Sequence, residues 1–492
     1  MGIGRREGSL GASAGSIGSA LALFVLVPVV AAGGLVTKPL NEAGHTVAVF
    51  AVVALLALPA LRRTRWWRHP APALLAAFWA LFWALAPRAL AAAPDGRLGR
   101  KELTGLAICT FVSIAAVAWS RGSRAGLQAF RWGWVAALLL TGGIGVWEVL
   151  TGRHLWTPDW APWRFGEGSV ISSTFINPNN FSDALVGMLA GVVALWAGAG
   201  RTRVLRWVLA ALAIFAVVLM VFTQSRGGLV GAIVIVALEA LRRRRAAGAR
   251  SVRELLARQI GGHRAAAGAL ALALGAGLIA TFVVPALAAR NPVRAMLDVA
   301  FSEGQARSDS LRLSLIRFAF GYLRDAGWSG SGAGSFEPLF WNDPARGGLP
   351  PTNLHNAFVE LLTQYGVWVF APYLALLLVL VWAMLRGRTR GDTQGGTGGA
   401  PGDVSAAGGE PDGAGATDVP ILRAELAGQL TAFALLGATA SSALEIPFWW
   451  LSLANAVALA WHLSATSRAT ANPPASVEAS NPPRSAQPSH SA

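Results

Sequence analysis

Twelve apolar runs, most of them near 20 residues long, recur along this chain and decide what it can fold into. A bilayer core about 30 Å thick takes roughly 20 helical residues. In lipid every backbone N–H and C=O must be bonded within its own segment, which leaves helices for runs of this length. They fall at residues 16–36, 45–61, 71–91, 103–119, 132–150, 181–198, 204–221, 229–241, 266–288, 358–385, 424–443 and 448–463. Soluble domains carry about 25% charged residues; here the share is 13%. The expected fold is an all-α polytopic membrane protein with about 12 transmembrane helices.

The net charge of +16 is almost wholly arginine, since Lys38 and Lys101 are the only lysines. The basic residues crowd into the short loops 62–68, 121–131, 201–206, 242–245 and 386–423. Positive-inside topology accounts for that pattern, so no nucleic-acid partner is implied. It places both termini in the cytoplasm and loops 152–180, 223–228, 289–354 and 442–447 outside. One loop disagrees: residues 88–102 should be outside, yet they include Arg88, Arg97, Arg100 and Lys101. The single cysteine, Cys109, excludes a disulfide framework and a thiol metal site within one chain. The first run lacks a clear cleavage site and is followed by many others, so it reads as a span.

The expected organisation is a transmembrane catalytic region over 1–385, with one large helical periplasmic loop at 289–354. A cytoplasmic linker at 386–423, two last spans within 424–465 and a tail at 466–492 follow. Linker and tail are rich in Gly, Pro, Ser and Ala, have little apolar surface to offset ordering entropy, and are expected to be disordered. No internal repeat is evident, which counts against an inverted-repeat transporter.

The residues that could carry chemistry lie in the expected outer loops. The stretch from Arg307 to Arg324 is amphipathic. On a helical wheel Leu311, Leu315, Ile316, Phe318, Ala319, Tyr322 and Leu323 fill one side, with Arg317 and Arg324 on the other. Arg312 falls inside the apolar sector, between Ala319 and Leu323, where it must snorkel or find an anion. His355 follows Pro350-Pro351, and Thr352 or Asn353 would cap the next helix, placing His355 in its first turn. The positive end of the helix dipole would keep the imidazole neutral, as a general base requires. Asn356, Glu360 and Thr363 form a polar stripe that either orients this histidine or packs on another helix.

Two further loops add polar groups. Thr223-Gln-Ser225-Arg226-Gly-Gly opens a helix with free N–H groups, glycines and an arginine, a fitting anion cradle. Arg164 and the run Ser173 to Phe181 bring Asn177 and Asn179, which could bind sugar hydroxyls; Asn179 or Asn180 could equally cap the helix. Gly330-Ser-Gly332-Ala-Gly334 lacks a strand context and reads as a tight turn and not a phosphate loop. No cluster of outer carboxylates or of Cys and His suits a metal.

The spaced set Arg164, Phe175-x-Asn177-Pro178-Asn179, Ser225-Arg226-Gly-Gly, Arg312-Leu-Ser-Leu, Gly330-x-Gly332-x-Gly334-x-Phe336 and His355-Asn356, with Gly366 beyond, resembles the bacterial O-antigen ligase and polymerase superfamily. The resemblance covers residues 151–385 and implies a membrane glycosyltransferase of GT-C type in the inner membrane. It implies that a glycan passes from undecaprenyl diphosphate on the periplasmic face to lipid A–core, in a ligase, or to a second lipid-linked glycan, in a polymerase. Arg226 and Arg312 would bind the diphosphate and His355 would activate the acceptor hydroxyl. Arg164, Asn177, Asn179, Ser225 and Asn356 would contact substrate, with no metal and no soluble cofactor. The ligase pattern usually carries Gly, Thr or Tyr where Val369 stands, so ligase, polymerase and protein O-glycosylation all stay open. A lipid or polysaccharide transporter is the alternative of another class; it would place facing charges mid-membrane.

Overall fold

The computed structural model describes residues 4–33, 43–62, 64–155, 170–199, 202–246, 304–347, 353–386, 414–439 and 443–471. The helices are α1 (Gly4–Ala32), α2 (Ala43–Arg62), α3 (Pro70–Ala91), α4 (Gly96–Ser120), α5 (Arg124–Thr151), α6 (Pro178–Gly198), α7 (Arg203–Phe222), α8 (Arg226–Ala246), α9 (Gly304–Asp325), α10 (Phe336–Asn342), α11 (Ala357–Leu385), α12 (Ala414–Thr439) and α13 (Pro447–Ala471). No strand occurs among the described residues. Every expected span coincides with a helix except 266–288, which lies outside them. Among the described residues nine helices, α1 to α7, α11 and α12, are long and apolar enough to cross a membrane. The chain is an all-α polytopic membrane protein.

Some bounds differ from the sequence reading. The short eighth span extends back to Arg226, through the two glycines. Residues 414–420, expected in a disordered linker, form the first turns of α12. Once a span is anchored, added turns need no new nucleus. The rest of the expected linker, 387–413, and residues 472–492 of the tail lie outside the described residues.

Helix α6 is the hub of the bundle. Its residues from Asn180 to Val192 are buried, and it packs against α5, α7, α8 and α12. Helix α13, buried without interruption from Phe448 to Trp461, packs on α4 and α12. Outside this layer α1 lies on α5, α2 on α4, and α3 on α11.

The unit made by α9 and α10 has its own small core. Leu315, Ala319, Phe336, Phe340 and Leu354 are buried together, with Leu311, Ile316, Phe318, Tyr322 and Val359 packed around them. The expected apolar side of the amphipathic stretch is therefore the side that packs, while Arg317 and Arg324 are exposed. Tyr322 donates to Asp343 at 2.8 Å, tying α9 to the chain beyond α10.

A glycine loop stitches this unit to the bundle. Helix α11 kinks at Gly366, where φ is 82° and ψ is 174°. The carbonyls freed there are met by loop amides: Ser331 donates to Thr363 at 2.9 Å and Gly332 to Gln364 at 3.0 Å. Beyond the kink Val367 donates to Trp328 at 3.1 Å, and the loop's Ala333 donates to Ala89 at the end of α3, at 2.9 Å. Gly330, Gly332 and Gly334 all have positive φ. The expected tight turn is thus a backbone-bonded strap. It also fixes the side of the disputed loop 88–102, which lies with the 330–334 strap and hence with α9.

Alanine at Gly366 would meet the carbonyl carbon of Ser329 in a left-handed backbone. Gly366→Ala is expected to cost about 1–3 kcal/mol from overpacking alone, read as a lowered Tm of the detergent-purified protein. Alanine at Gly321, inside α9 with open space around it, should leave Tm unchanged or raise it slightly.

Candidate active site

The starts of α6 and α8 press together, and the end of α12 lies against both the start of α6 and the start of α11, which carries α9 beside it. Each of these three starts is entered through a non-glycine residue with left-handed φ: Ile176 at 63°, Gln224 at 54° and His355 at 52°. Such a conformation is uncommon, and for β-branched Ile176 it is an outlier. Backbone of this kind costs of order 1–3 kcal/mol and gathers at functional sites.

The caps correct the sequence reading at two helix starts. Asn177, and not Asn179 or Asn180, caps α6: its side chain accepts from the Asn179 amide at 2.9 Å, with Pro178 next in the chain. Asn356, and not Thr352 or Asn353, caps α11, accepting from Val359 at 3.1 Å. Several equivalent cap formers stand at each start, and only the surrounding packing chooses among them. His355 consequently precedes the cap instead of lying in the first helical turn.

That placement changes why the imidazole is neutral. Burial, and then the nearby Arg312 guanidinium, lower the His355 pKa from its ordinary value to about 4. Arg312 is half-buried on α9 and makes no hydrogen bond and no ion pair among the described residues. Its donors remain available to an anion. The apolar packing of Leu311, Leu315 and Ala319 carries the arginine to this place.

The turn before α8 approaches from the other side. Ser225 is buried and its amide donates to Thr223 Oγ1 at 3.2 Å. Arg226 is exposed at the first position of α8. Gly228 lies so close to Ser182 of α6 that any side chain would run into the hydroxyl. A methyl group on Gly227 would come within 3.2 Å of Asp183 Oδ1. These glycines let the start of α8 press on the start of α6.

Asp183 is the residue that the sequence reading missed. It is 1% exposed, accepts from Thr439 of α12 at 2.6 Å, and lies within electrostatic reach of Arg312. The available signal was an acid one turn inside a span, rare enough to be a functional candidate by default. Of the other expected residues, Asn179 is half-buried on α6. Arg164 lies outside the described residues. The polar stripe of α11 turns inward: Glu360 accepts from Gln364 at 3.1 Å, and Tyr365 donates to Glu102 of α4 at 2.5 Å. The side chains of the stripe bond within α11, and Tyr365 beside it links α11 to α4.

A half-buried neutral imidazole, a half-buried guanidinium without a bonded partner among the described residues and a helix start beside an exposed arginine are groups that could serve an anion and a proton acceptor on one side of a multi-pass membrane protein. Residues 211–374, a third of the chain, match the family model described as O-antigen ligase. The match supports the O-antigen ligase and polymerase superfamily for this segment. The segment contains Arg226, Arg312, His355 and Gly366, but not Asn177, Asn179 or Asp183. No curated protein matches the chain.

The low pKa of His355 fixes the expected pH dependence. A base acts when deprotonated, so any activity that needs it should fall only as pH drops toward about 4. In Arg312→Gln, with the second cause removed and burial kept, this limb should move to higher pH. The rate of His355 modification by diethyl pyrocarbonate, followed against pH by mass spectrometry, measures both without a substrate.

Proposed function

We propose that the protein is a membrane glycosyltransferase of the O-antigen ligase type, moving a glycan from undecaprenyl diphosphate to a lipid A–core hydroxyl or a similar acceptor on the periplasmic face. The single observation that carries this reading is the nearness of the Arg312 guanidinium to the neutral imidazole of His355. The superfamily match supports the class of reaction.

In this reading the diphosphate of the donor lies against Arg312, with Arg226 and the amides at the start of α8 as further donors. Guanidinium suits this role because its fork of N–H groups stays charged and matches phosphate oxygens. The acceptor hydroxyl gives its proton to His355 while its oxygen attacks the anomeric carbon. The bond from that carbon to the diphosphate oxygen breaks, and its electron pair leaves with the lipid diphosphate. Negative charge grows on the departing oxygen, so arginines already in place stabilise the transition state more than the bound substrate. A proton acceptor already neutral needs no prior deprotonation at neutral pH.

A polymerase acting on lipid-linked repeats uses the same groups, and the identity of the acceptor separates the two. Purified protein in proteoliposomes, given lipid-linked glycan and lipid A–core, should yield glycosylated lipid A–core. Given lipid-linked glycan alone it should yield nothing longer; chain extension there would assign a polymerase. Parallel reactions with a chelator test the metal independence expected from the sequence. Arg312→Ala and His355→Ala should each lower kcat on the order of 100–1,000-fold, with normal membrane insertion. Unchanged surface glycan in cells carrying either variant would refute the proposal.

A further inference from the structure

We propose that a cleft between α3 and α11, on the side that carries α9, holds the phosphate-bearing head group of the acceptor lipid, with Arg88 as its specificity-determining residue. The inference rests on the proposed function, which needs a second lipid-borne substrate besides the donor. It gives that substrate a place of its own.

The loop at 88–102 carries charge against its side. Arg88, Arg97, Arg100 and Lys101 are all exposed there. Arg88, Arg97 and Arg100 have no ion pair and no side-chain hydrogen bond among the described residues. The topological bias gathers basic residues in the loops of the opposite side, so it does not account for these. An anion brought to this side does.

Arg88 opens onto a cleft. With Leu85 and Ala89 of α3, Gly330 of the strap, and Tyr365 and Trp368 of α11, it lines about 70 Å³ of open space. That is room for several water molecules or for one phosphate group. No carboxylate lines the cleft among the described residues. The Tyr365 hydroxyl is committed elsewhere, donating to the buried Glu102 at 2.5 Å. Trp368 is 67% exposed, level with the end of α3 across the cleft. An exposed tryptophan at the end of a span belongs to the membrane–water interface.

These features fit one kind of ligand. A lipid in the same leaflet can keep its chains beside Trp368 while its phosphate meets the guanidinium of Arg88, whose N–H fork matches phosphate oxygens. The cleft is separate from Arg312 and His355, because Tyr365 lies about 12 Å along α11 from Ala357 at its start. An acceptor held here by its head group extends its glycan along α11 toward His355, and the donor diphosphate keeps Arg312 to itself. The competing reading is that Arg88 meets the phosphate of any bilayer phospholipid.

Equilibrium binding to the full-length protein in detergent, without donor, separates them. The probes are lipid A–core and the same glycolipid stripped of its phosphates. The wild type should bind the phosphorylated form about tenfold more tightly, a coupling usual for interacting charged groups. Arg88→Gln should bind the two forms equally, with unchanged Tm because the residue is exposed. Arg88→Lys keeps the charge and should recover part of the difference. An equal preference in wild type and Arg88→Gln, or none in the wild type, overturns the inference. So does displacement of lipid A–core by phosphatidylglycerol at equal concentration, which would make the cleft a general phospholipid site. In proteoliposomes Arg88→Gln should raise the KM for the acceptor and leave that for the donor unchanged; a raised donor KM overturns the inference. If the wild type transfers glycan and Arg88→Gln changes neither binding nor KM, the inference alone falls. If lipid A–core binds through Arg88 and no glycan is transferred, the proposed function falls and takes the acceptor role of the cleft with it.

Discussion

A guanidinium held half-buried without a bonded counter-ion is the constraint on which the rest of the site depends. Arg312 could reach water by snorkelling, as arginines at membrane edges commonly do. It is kept in place because the neighbouring turns of α9 are packed into an apolar core with Phe336 and Phe340. The free energy that holds the charge there is therefore hydrophobic, not electrostatic. What the charge then does to its surroundings follows: it deepens the proton deficit of His355, acts on Asp183, and offers its donors to an incoming anion.

Holding α9 in that position needs a firm join between a small unit and the bundle. The join is made with backbone. Amides of the 330–334 strap bond the carbonyls that the Gly366 kink leaves free, and one bonds the end of α3. Backbone bonding at a helix break is what a low-dielectric surrounding demands, because an unpaired amide or carbonyl there is expensive. The glycines that resemble a phosphate loop in sequence thus act as a clamp. On the opposite side of the site, Gly227 and Gly228 bring the start of α8 onto Ser182 and Asp183. Close helix approach through small residues is how membrane bundles pack in the absence of a strong hydrophobic drive between helices.

Much of this was legible in the chain. The apolar runs gave the spans, and the 3.6-residue period singled out the face of α9 and the odd position of Arg312 on it. The basic loops gave an expected sidedness from which the loop at 88–102 departs in charge, and Ala333 joins that loop, through Ala89, to the side that carries α9. The caps were not legible: Asn177, Asn179 and Asn180 have the same propensity, as do Thr352, Asn353 and Asn356, so the choice among them rests on packing. Asp183 was overlooked because its partners, Thr439 and Arg312, are far from it in sequence, and no local pattern connects them.

Hydrophobicity and periodicity are properties of neighbouring residues, so the sequence by itself determined that this is a helical membrane protein with an amphipathic segment bearing a misplaced arginine. Which helix ends become neighbours is decided by contacts between residues from some forty to more than two hundred positions apart. Only the tertiary structure, therefore, put His355 ahead of its helix cap, lowered its pKa through burial beside Arg312, and brought a carboxylate from α6 within reach of that arginine.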